Sequence, residues 1–113
     1  HQPPAGLAPT VFVMVTPLTP VSPDVTVSAI THDDFRWQRC DIKTTSLLAN
    51  VLLRQAAAAA GAAEAILIRD GMVSEGAASN VFVVSNGELC TPPLSALLLP
   101  GVTRDLLIEI LAS

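Results

Sequence analysis

Apolar runs separated by proline and glycine divide the chain into short segments. Residues 10–16 form a continuous β-rich run, which predicts a buried strand. Three prolines fall within residues 17–23, and proline disrupts helices and cannot donate a backbone hydrogen bond, so we expect an extended linker there. Apolar and polar residues alternate over residues 25–30, which predicts a second strand.

Helical spacing replaces alternation in the middle of the chain. Thr45 or Ser46 is the predicted N-cap of a helix that runs to about residue 60 and ends at Gly61. Its second half is a five-alanine run, which favours a helix and allows close packing; a low-complexity linker is the alternative. The apolar side chains at helical spacing in its first half are Leu47, Leu48, Val51 and Leu52.

Two dipeptides typical of tight hairpin turns, Asp70-Gly71 and Asn86-Gly87, mark the second half of the chain. The strands predicted around them are residues 64–69, 72–74, 80–84 and 88–90. A last helix is predicted over residues 103–111, with these side chains facing inward: Leu106, Leu107, Ile110 and Leu111. Hairpins around a central helix indicate a mixed α/β (α+β) sheet in one main domain.

The charge balance narrows the classes of partner. Charged residues make up 14% of the chain and the net charge is −4, without a basic patch, so we expect no nucleic-acid partner. No apolar run reaches the length of a membrane span, so we expect no membrane contact. So few charges would leave apolar surface uncovered, which suggests a further domain or a subunit.

Cys40 and Cys90 are widely spaced and match neither a metal motif nor a disulfide framework. We therefore expect two free, buried thiols, as in a cytoplasmic protein, and no metal site. His32 is expected to be a surface loop residue.

Three short strings contain the candidate chemistry. Lys43 is the only lysine of the chain, and a neutral amine can form a Schiff base with a carbonyl; a solvated surface lysine is the alternative. Glu75 stands beside Gly76 and could pair with a ring nitrogen, or it could be a turn-exposed acid. The turn at residues 100–103 opens a helix and could hold a phosphate, or Thr103 could be an ordinary N-cap.

Together these strings resemble the cofactor pocket of class IV (fold-type IV) pyridoxal-phosphate aminotransferases. Residues 39–43, Arg-Cys-Asp-Ile-Lys, most resemble the D-amino-acid aminotransferase branch. The resemblance covers roughly residues 10–111, whereas family members are much longer. It implies that residues 24–113 form an incomplete C-terminal pseudo-barrel domain that binds the cofactor. Residues 1–23 would be the end of an N-terminal domain and the interdomain linker.

The resemblance also implies a role for each residue of the pocket. Lys43 would hold pyridoxal 5'-phosphate through a Schiff base and would move the proton at the substrate α-carbon. Glu75 would pair with the pyridine nitrogen and Leu99 would lie against the ring. Val102 and Thr103 would bind the phosphate.

Other implied positions lie around this set. Arg36 matches an arginine near the phenolic oxygen of the cofactor. His1 matches the end of a motif that binds the substrate carboxylate, although a cloning-tag remnant is the alternative. Arg39 and Asp41 would organise the loop around Lys43, and the side chain expected to hold the backbone near Glu75 is that of Asn80.

The loop after Gly76 is often serine-rich in the D-amino-acid branch. Ala77 and Ala78 depart from that pattern here, so we expect any hydroxyl contact there to be lost, with Ser79 the only hydroxyl left after Gly76.

The implied reaction is amino transfer between an amino acid, D-alanine-like, and a 2-oxo acid, by a cytoplasmic homodimer. The alternatives are a branched-chain L-amino-acid aminotransferase, an aminodeoxychorismate lyase, or a non-catalytic dimerising fragment. The family's N-terminal domain supplies another phosphate-binding arginine and most substrate contacts, and by this resemblance the chain lacks nearly all of that domain. We therefore expect the isolated chain to be weakly active or inactive.

Overall fold

A pair of parallel strands joined by a helix forms the centre of the fold. The computed structural model describes residues 2–20, 22 and 24–113. The elements are β1 (Ala29–Asp33), α1 (Leu48–Ala59), β2 (Glu64–Arg69), β3 (Met72–Gly76), β4 (Val83–Ser85), β5 (Glu88–Cys90) and α2 (Val102–Ala112). β1, β2 and β3 form one sheet in that order, and β4 and β5 form a second. The α/β class predicted from the sequence is confirmed.

The connection from β1 through α1 to β2 brings two parallel strands into register. Ala29 pairs with Glu64 at one end and Asp33 with Ile68 at the other. β3 then returns antiparallel to β2. The carboxyl ends of β1 and β2 therefore lie at the same edge of the sheet, and the residues that follow β1 meet the end of β2 there.

Helix α1 ends as predicted but begins later. Gly61 adopts a φ of 72°. The N–H of Ala62 donates to the Ala57 carbonyl at 2.9 Å and that of Gly61 to the Ala58 carbonyl at 3.0 Å, which is a Schellman motif. The predicted cap at Thr45 or Ser46 is wrong, because the helix begins at Leu48 and has no side-chain cap.

Both predicted hairpin turns are confirmed. Asp70 and Gly71 have φ of 51° and 77°, and Asn86 and Gly87 have φ of 52° and 83°. Two successive positive φ angles are those of a type I′ turn, whose twist matches the flanking strands. β2 has the predicted bounds, as has β5, whereas β4 is shorter than the predicted strand at 80–84.

The hydrophobic core is small and lies between α1 and the sheet. It consists of Leu53, Ala57, Ala65, Leu67 and Ala77. Alanine in the second half of α1 lets the helix backbone approach the strands closely, as the five-alanine run predicted. The first-half apolar set does not join this core: Leu47, Leu48, Val51 and Leu52 are exposed.

Helix α2 is found almost where it was predicted, but its predicted inward face is wrong. Arg104 is its only buried residue. Four apolar side chains point away from the described core: Leu106, Leu107, Ile110 and Leu111. The helical period fixes which residues share a face, but a packing partner is needed to bury it.

Two strand predictions near the start of the chain are also corrected. Residues 10–16 form no strand and their apolar side chains are exposed, with Val11 at 82% and Val15 at 89%. A strand requires a hydrogen-bonding neighbour, and no described segment pairs with this one. The strand predicted at 25–30 is β1, four residues further on, because Ala29 is the first residue paired with β2.

No helix of the described residues is long and apolar enough to cross a membrane.

Candidate active site

A cleft of about 810 Å³ opens between the loop that joins β1 to α1 and the loop that follows β3. Four of the predicted site residues line it: Arg36, Lys43, Glu75 and Leu99. Three separate stretches of sequence therefore meet at one surface.

Lys43 stands on the loop between β1 and α1 and is exposed. Its amine makes no hydrogen bond or ion pair with any residue that the structure describes. Nearby, Arg39 and Asp41 form a two-pronged pair, with both N···O distances 3.0 Å. Arg39 and Asp41 were expected to organise the loop around Lys43, and the structure shows that they pair with each other.

Glu75 is the opposite case, since it is only 5% exposed. One of its carboxylate oxygens, Oε1, accepts a hydrogen bond from Arg36 Nη1. The other, Oε2, accepts from the Leu99 N–H at 3.0 Å and from Asn80 Nδ2 at 3.2 Å. The alternative of a turn-exposed acid is therefore wrong, because strand β3 carries this side chain inward.

Asn80 links the Glu75 side chain to the segment before α2, whereas the sequence predicted that it holds the backbone near Glu75. Its Nδ2 also donates to the Leu99 carbonyl at 3.0 Å, so one amide holds the Glu75 side chain against the segment before α2. A side chain at Gly101 would overlap Asn80 Oδ1, so a larger residue there would displace the Asn80 amide from Glu75.

Arg36 is buried and lies between two acids. It donates to Glu75 and, from Nε at 2.9 Å and Nη2 at 3.0 Å, to the carboxylate of Asp34. Burial disfavours the charged guanidinium, but the hydrogen bonds to Asp34 and Glu75 outweigh it and raise the pKa of Arg36. The structure thus brings Arg36 to the acid that was expected to meet the pyridine nitrogen.

Sequence reasoning missed Asp34, whose side chain is fully buried. Burial raises the pKa of a carboxyl group, but the hydrogen bonds from Arg36 and the charges of Arg36 and Arg69 prevail and lower the pKa of Asp34. The sequence signal that could have identified Asp34 was its position two residues before Arg36. The sequence did not show that Arg69, at the end of β2, would lie beside Asp34.

The loop after β3 is held by side chains of α1 and β2. Asn50 of α1 donates to the Ala77 carbonyl at 2.7 Å. The Ser79 hydroxyl, the only one left in the loop after Gly76, donates to Glu64 Oε2 at 2.9 Å. A Cβ at position 76 would overlap Ser79 Oγ, so a side chain there would displace this hydroxyl. Asn50 and Glu64 were also missed, since their roles depend on how α1 and β2 approach this loop.

The residues before α2 close one end of the cleft. Leu99 and Gly101 line it, and Val102 and Thr103 follow as the first turn of the helix. No side chain caps this helix, so the alternative of Thr103 as an N-cap is wrong. Backbone N–H groups at an uncapped helix start attract anions. Both Val102 and Thr103 are exposed.

The remaining sequence predictions have mixed outcomes. His1 lies outside the described residues. His32 is half-buried on β1 rather than in a surface loop, with its ring 5.7 Å from that of Phe35. Cys40 is buried, which raises its pKa, whereas Cys90 is exposed, so the expectation of two buried thiols is half wrong. The described part of the chain contains no cluster of metal-ligating side chains.

Comparisons with known proteins identify a family for this chain. The family model described as Amino-transferase class IV matches residues 2–113. The D-alanine aminotransferase of Bacillus licheniformis is 49% identical over 106 residues, which cover 92% of this chain and 38% of that relative. The chain thus spans well under half the length of this relative.

Solved structures of similar fold agree with this. A fold IV-transaminase from Curtobacterium pusillum superposes with a TM-score of 0.68 at 25% identity, covering 76% of this chain and 32% of that one. The branched-chain amino acid aminotransferase of Thermobaculum terrenum, solved in its PLP form, gives a TM-score of 0.67 at 29% identity. That match covers 78% of this chain and 31% of the solved chain.

Proposed function

The chain belongs to the class IV aminotransferases, and from that premise we propose that its full-length protein transfers an amino group between an amino acid and a 2-oxo acid with pyridoxal 5'-phosphate as cofactor. We propose a D-alanine-like amino acid as the substrate. The similarity to a D-alanine aminotransferase supports this choice. The single observation that carries the proposal is the cleft that an exposed Lys43 and a buried, arginine-paired Glu75 share.

The chemistry of the cleft fits the cofactor. Lys43 offers an amine without another described partner. The Glu75 carboxylate has about four lone-pair positions, of which three are used, so it can accept one more donor such as a protonated ring nitrogen. Leu99 offers an apolar surface to a ring, and the uncapped start of α2 offers N–H groups to a phosphate.

When bound, pyridoxal phosphate supplies an electron sink for the substrate α-carbon. The chain's residues would support that chemistry in distinct ways. Lys43 would hold the cofactor covalently and, when released, would move the proton at the α-carbon. Glu75 would keep the proton on the ring nitrogen, because a buried carboxylate stabilises a facing cation.

The phosphate would be held by Val102 and Thr103 through their backbone N–H groups and the Thr103 hydroxyl, assisted by the helix dipole. Arg36 was expected beside the phenolic oxygen. Its contacts with Asp34 and Glu75 instead support a role in holding the acid.

The assembly of the full protein is part of the same proposal. We propose that residues 24–113 belong to the cofactor-binding domain, that residues before 24 lead into it, and that two chains form a homodimer. The exposed apolar side chains of α1 and α2 support a covering partner. A cytoplasmic location is the simplest setting for an exposed free thiol at Cys90.

The test is cofactor uptake followed by covalent fixation. The full-length protein is mixed with pyridoxal phosphate, its absorbance is recorded, and borohydride is added before peptide mass mapping. We expect the label on Lys43 and none in Lys43→Ala. A folded protein that takes up no cofactor would contradict the proposal and would favour a non-catalytic dimerising role.

Substrate choice needs a separate panel. D-alanine, L-leucine and aminodeoxychorismate separate a D-amino-acid aminotransferase from a branched-chain enzyme and from a lyase. We expect D-alanine to give the highest kcat/KM. The isolated 113-residue chain, tested beside the full protein, is expected to be weakly active or inactive.

A further inference from the structure

Two acids and two arginines form a buried cluster beneath the cleft, and two of these four residues, Arg36 and Glu75, also line it. Asp34, Arg36, Arg69 and Glu75 have side chains that are 0, 4, 15 and 6% exposed. Their formal charges cancel. Taking such groups out of water is costly unless each is paired, so the loss of any one changes the local charge by a full unit.

Asp34 has the most contacts within this cluster. It accepts the Arg36 N–H at 3.1 Å and Nε at 2.9 Å on Oδ1, and Arg36 Nη2 at 3.0 Å on Oδ2. Ser74 Oγ donates to Oδ2 at 3.2 Å, and Arg69 Nη2 lies 3.2 Å from Oδ1. These bonds hold the guanidinium so that its remaining nitrogen, Nη1, meets Glu75.

The backbone fixes Asp34 as firmly as its side chain fixes Arg36. Its N–H donates to the Ile68 carbonyl at 2.8 Å, which extends the parallel pairing of β1 with β2 by one residue. Arg69, the last residue of β2, also donates to the Arg36 carbonyl at 2.8 Å. Asp34 is therefore a fixed acid attached to the sheet.

The geometry assigns Asp34 as a positioning residue that, through Arg36, sets the orientation and effective charge of Glu75 toward the cofactor ring nitrogen. This inference rests on the proposed function. With Asp34 ionised, Arg36 is shared between two carboxylates, and Glu75 keeps enough negative character to stabilise a proton on the ring. Without that charge, Arg36 would act on Glu75 alone and the ring proton would be held less tightly.

Arg69 provides a matched test because its charge is opposite and its contact is with the same carboxylate. Asp34→Asn makes the cluster one unit more positive, and Arg69→Gln makes it one unit more negative. A purely structural role would move both variants in the same direction. An electrostatic role predicts opposite movements of the ring-nitrogen pKa, by about one pH unit each.

The measurement uses the full-length protein loaded with pyridoxal phosphate that is isotopically labelled at the ring nitrogen. Nitrogen NMR then follows ring protonation against pH. We expect Asp34→Asn to lower the ring-nitrogen pKa and Arg69→Gln to raise it, with the double variant close to the wild type. Asp70→Asn, in the exposed turn after β2, is the charge-matched control and should leave that pKa unchanged.

Steady-state kinetics give a second readout. Asp34→Asn should lower kcat about tenfold while KM for the amino acid changes by less than about threefold, because the loss falls on the step that needs the ring proton. Should Asp34→Asn fail to fold, the sign of the Arg69→Gln shift decides, since that partly exposed side chain can be replaced at lower cost. A raised ring-nitrogen pKa then supports the inference, and an unchanged or lowered one overturns it.

The outcomes separate the inference from the proposed function. A wild-type protein that takes up no cofactor overturns both. A wild type that binds cofactor and transaminates, with variants that leave ring protonation unchanged or shift it in one common direction, overturns only the assignment of Asp34.

Discussion

The cleft has two walls, one carrying Glu75 and the other carrying Lys43, and they differ in how many hydrogen bonds and ion pairs hold these side chains. On one wall Glu75 is buried, accepts hydrogen bonds from three groups, and rests on a cluster of buried charges that spans three strands. On the other wall Lys43 is exposed on a loop whose nearest ion pair, Arg39 with Asp41, is itself largely exposed. The difference fits the two chemical tasks proposed for these residues.

A group that only stabilises charge works best when it is fixed before the ligand arrives, because no reorganisation is then needed. A nucleophilic amine must change partners during a reaction, so it cannot be held by permanent bonds. Stability and reactivity should therefore be separable in this molecule. Substitutions on the Glu75 wall should affect both, and substitutions on the Lys43 wall should affect reactivity alone.

The largest expected effect is on the Lys43 wall. Lys43→Ala in the full-length protein should lower the transamination rate about a thousandfold or more, because in the proposed function the amine would both bind the cofactor and move the proton. Its denaturation midpoint without cofactor should stay that of the wild type, since no described bond is lost. Urea unfolding beside initial-rate measurements checks this. A marked loss of stability would show that Lys43 makes stabilising contacts in the full-length protein.

Glu75→Gln is the matching change on the other wall. It should lower kcat about a hundredfold, because in the proposed function the ring proton would lose its counterion. Unlike Lys43→Ala, it should also destabilise the apoprotein by about 3 kcal/mol, since Arg36 would remain buried with a weaker partner. If Lys43→Ala and Glu75→Gln had the same stability, the expected difference between the two walls would be wrong.

The charged cluster also predicts a pH dependence of stability. The pKa of Asp34 is lower in the folded protein than its ordinary value of 3.8, so its contribution is complete above that value. The contribution is lost as the pH falls below 3.8 and through the folded-state pKa. Urea unfolding of the apoprotein between about pH 6 and about pH 2.5 should show this loss, and Asp34→Asn should flatten the curve. A wild-type curve as flat as that of the variant would contradict it.

The smallest expected effect is that of Arg39→Gln. It breaks the pair with Asp41, but both side chains stand in solvent, where such a pair adds little to stability. Its denaturation midpoint should match that of the wild type within error. A loss comparable to that of Glu75→Gln would mean that this loop is buried in the full protein.

Local signals made parts of the fold predictable. The Asp70-Gly71 and Asn86-Gly87 turns follow from the few residues that accept positive φ, and the end of α1 at Gly61 follows for the same reason. The wrong N-cap of α1 and the wrong inward face of α2 have another origin. Caps and faces depend on where neighbouring segments lie, and those segments are distant along the chain.

The site divides in the same way. The sequence by itself determined the candidate amine, the acid and the glycine turn, because each is a distinct residue type in a short recognisable string. Only the tertiary structure decided that Arg36 meets Glu75, 39 positions apart, and that Asp34 and Arg69 complete the cluster. The physical reason is that burial and charge pairing arise where strands end side by side. A residue's own neighbours in sequence do not specify which strand ends will be adjacent.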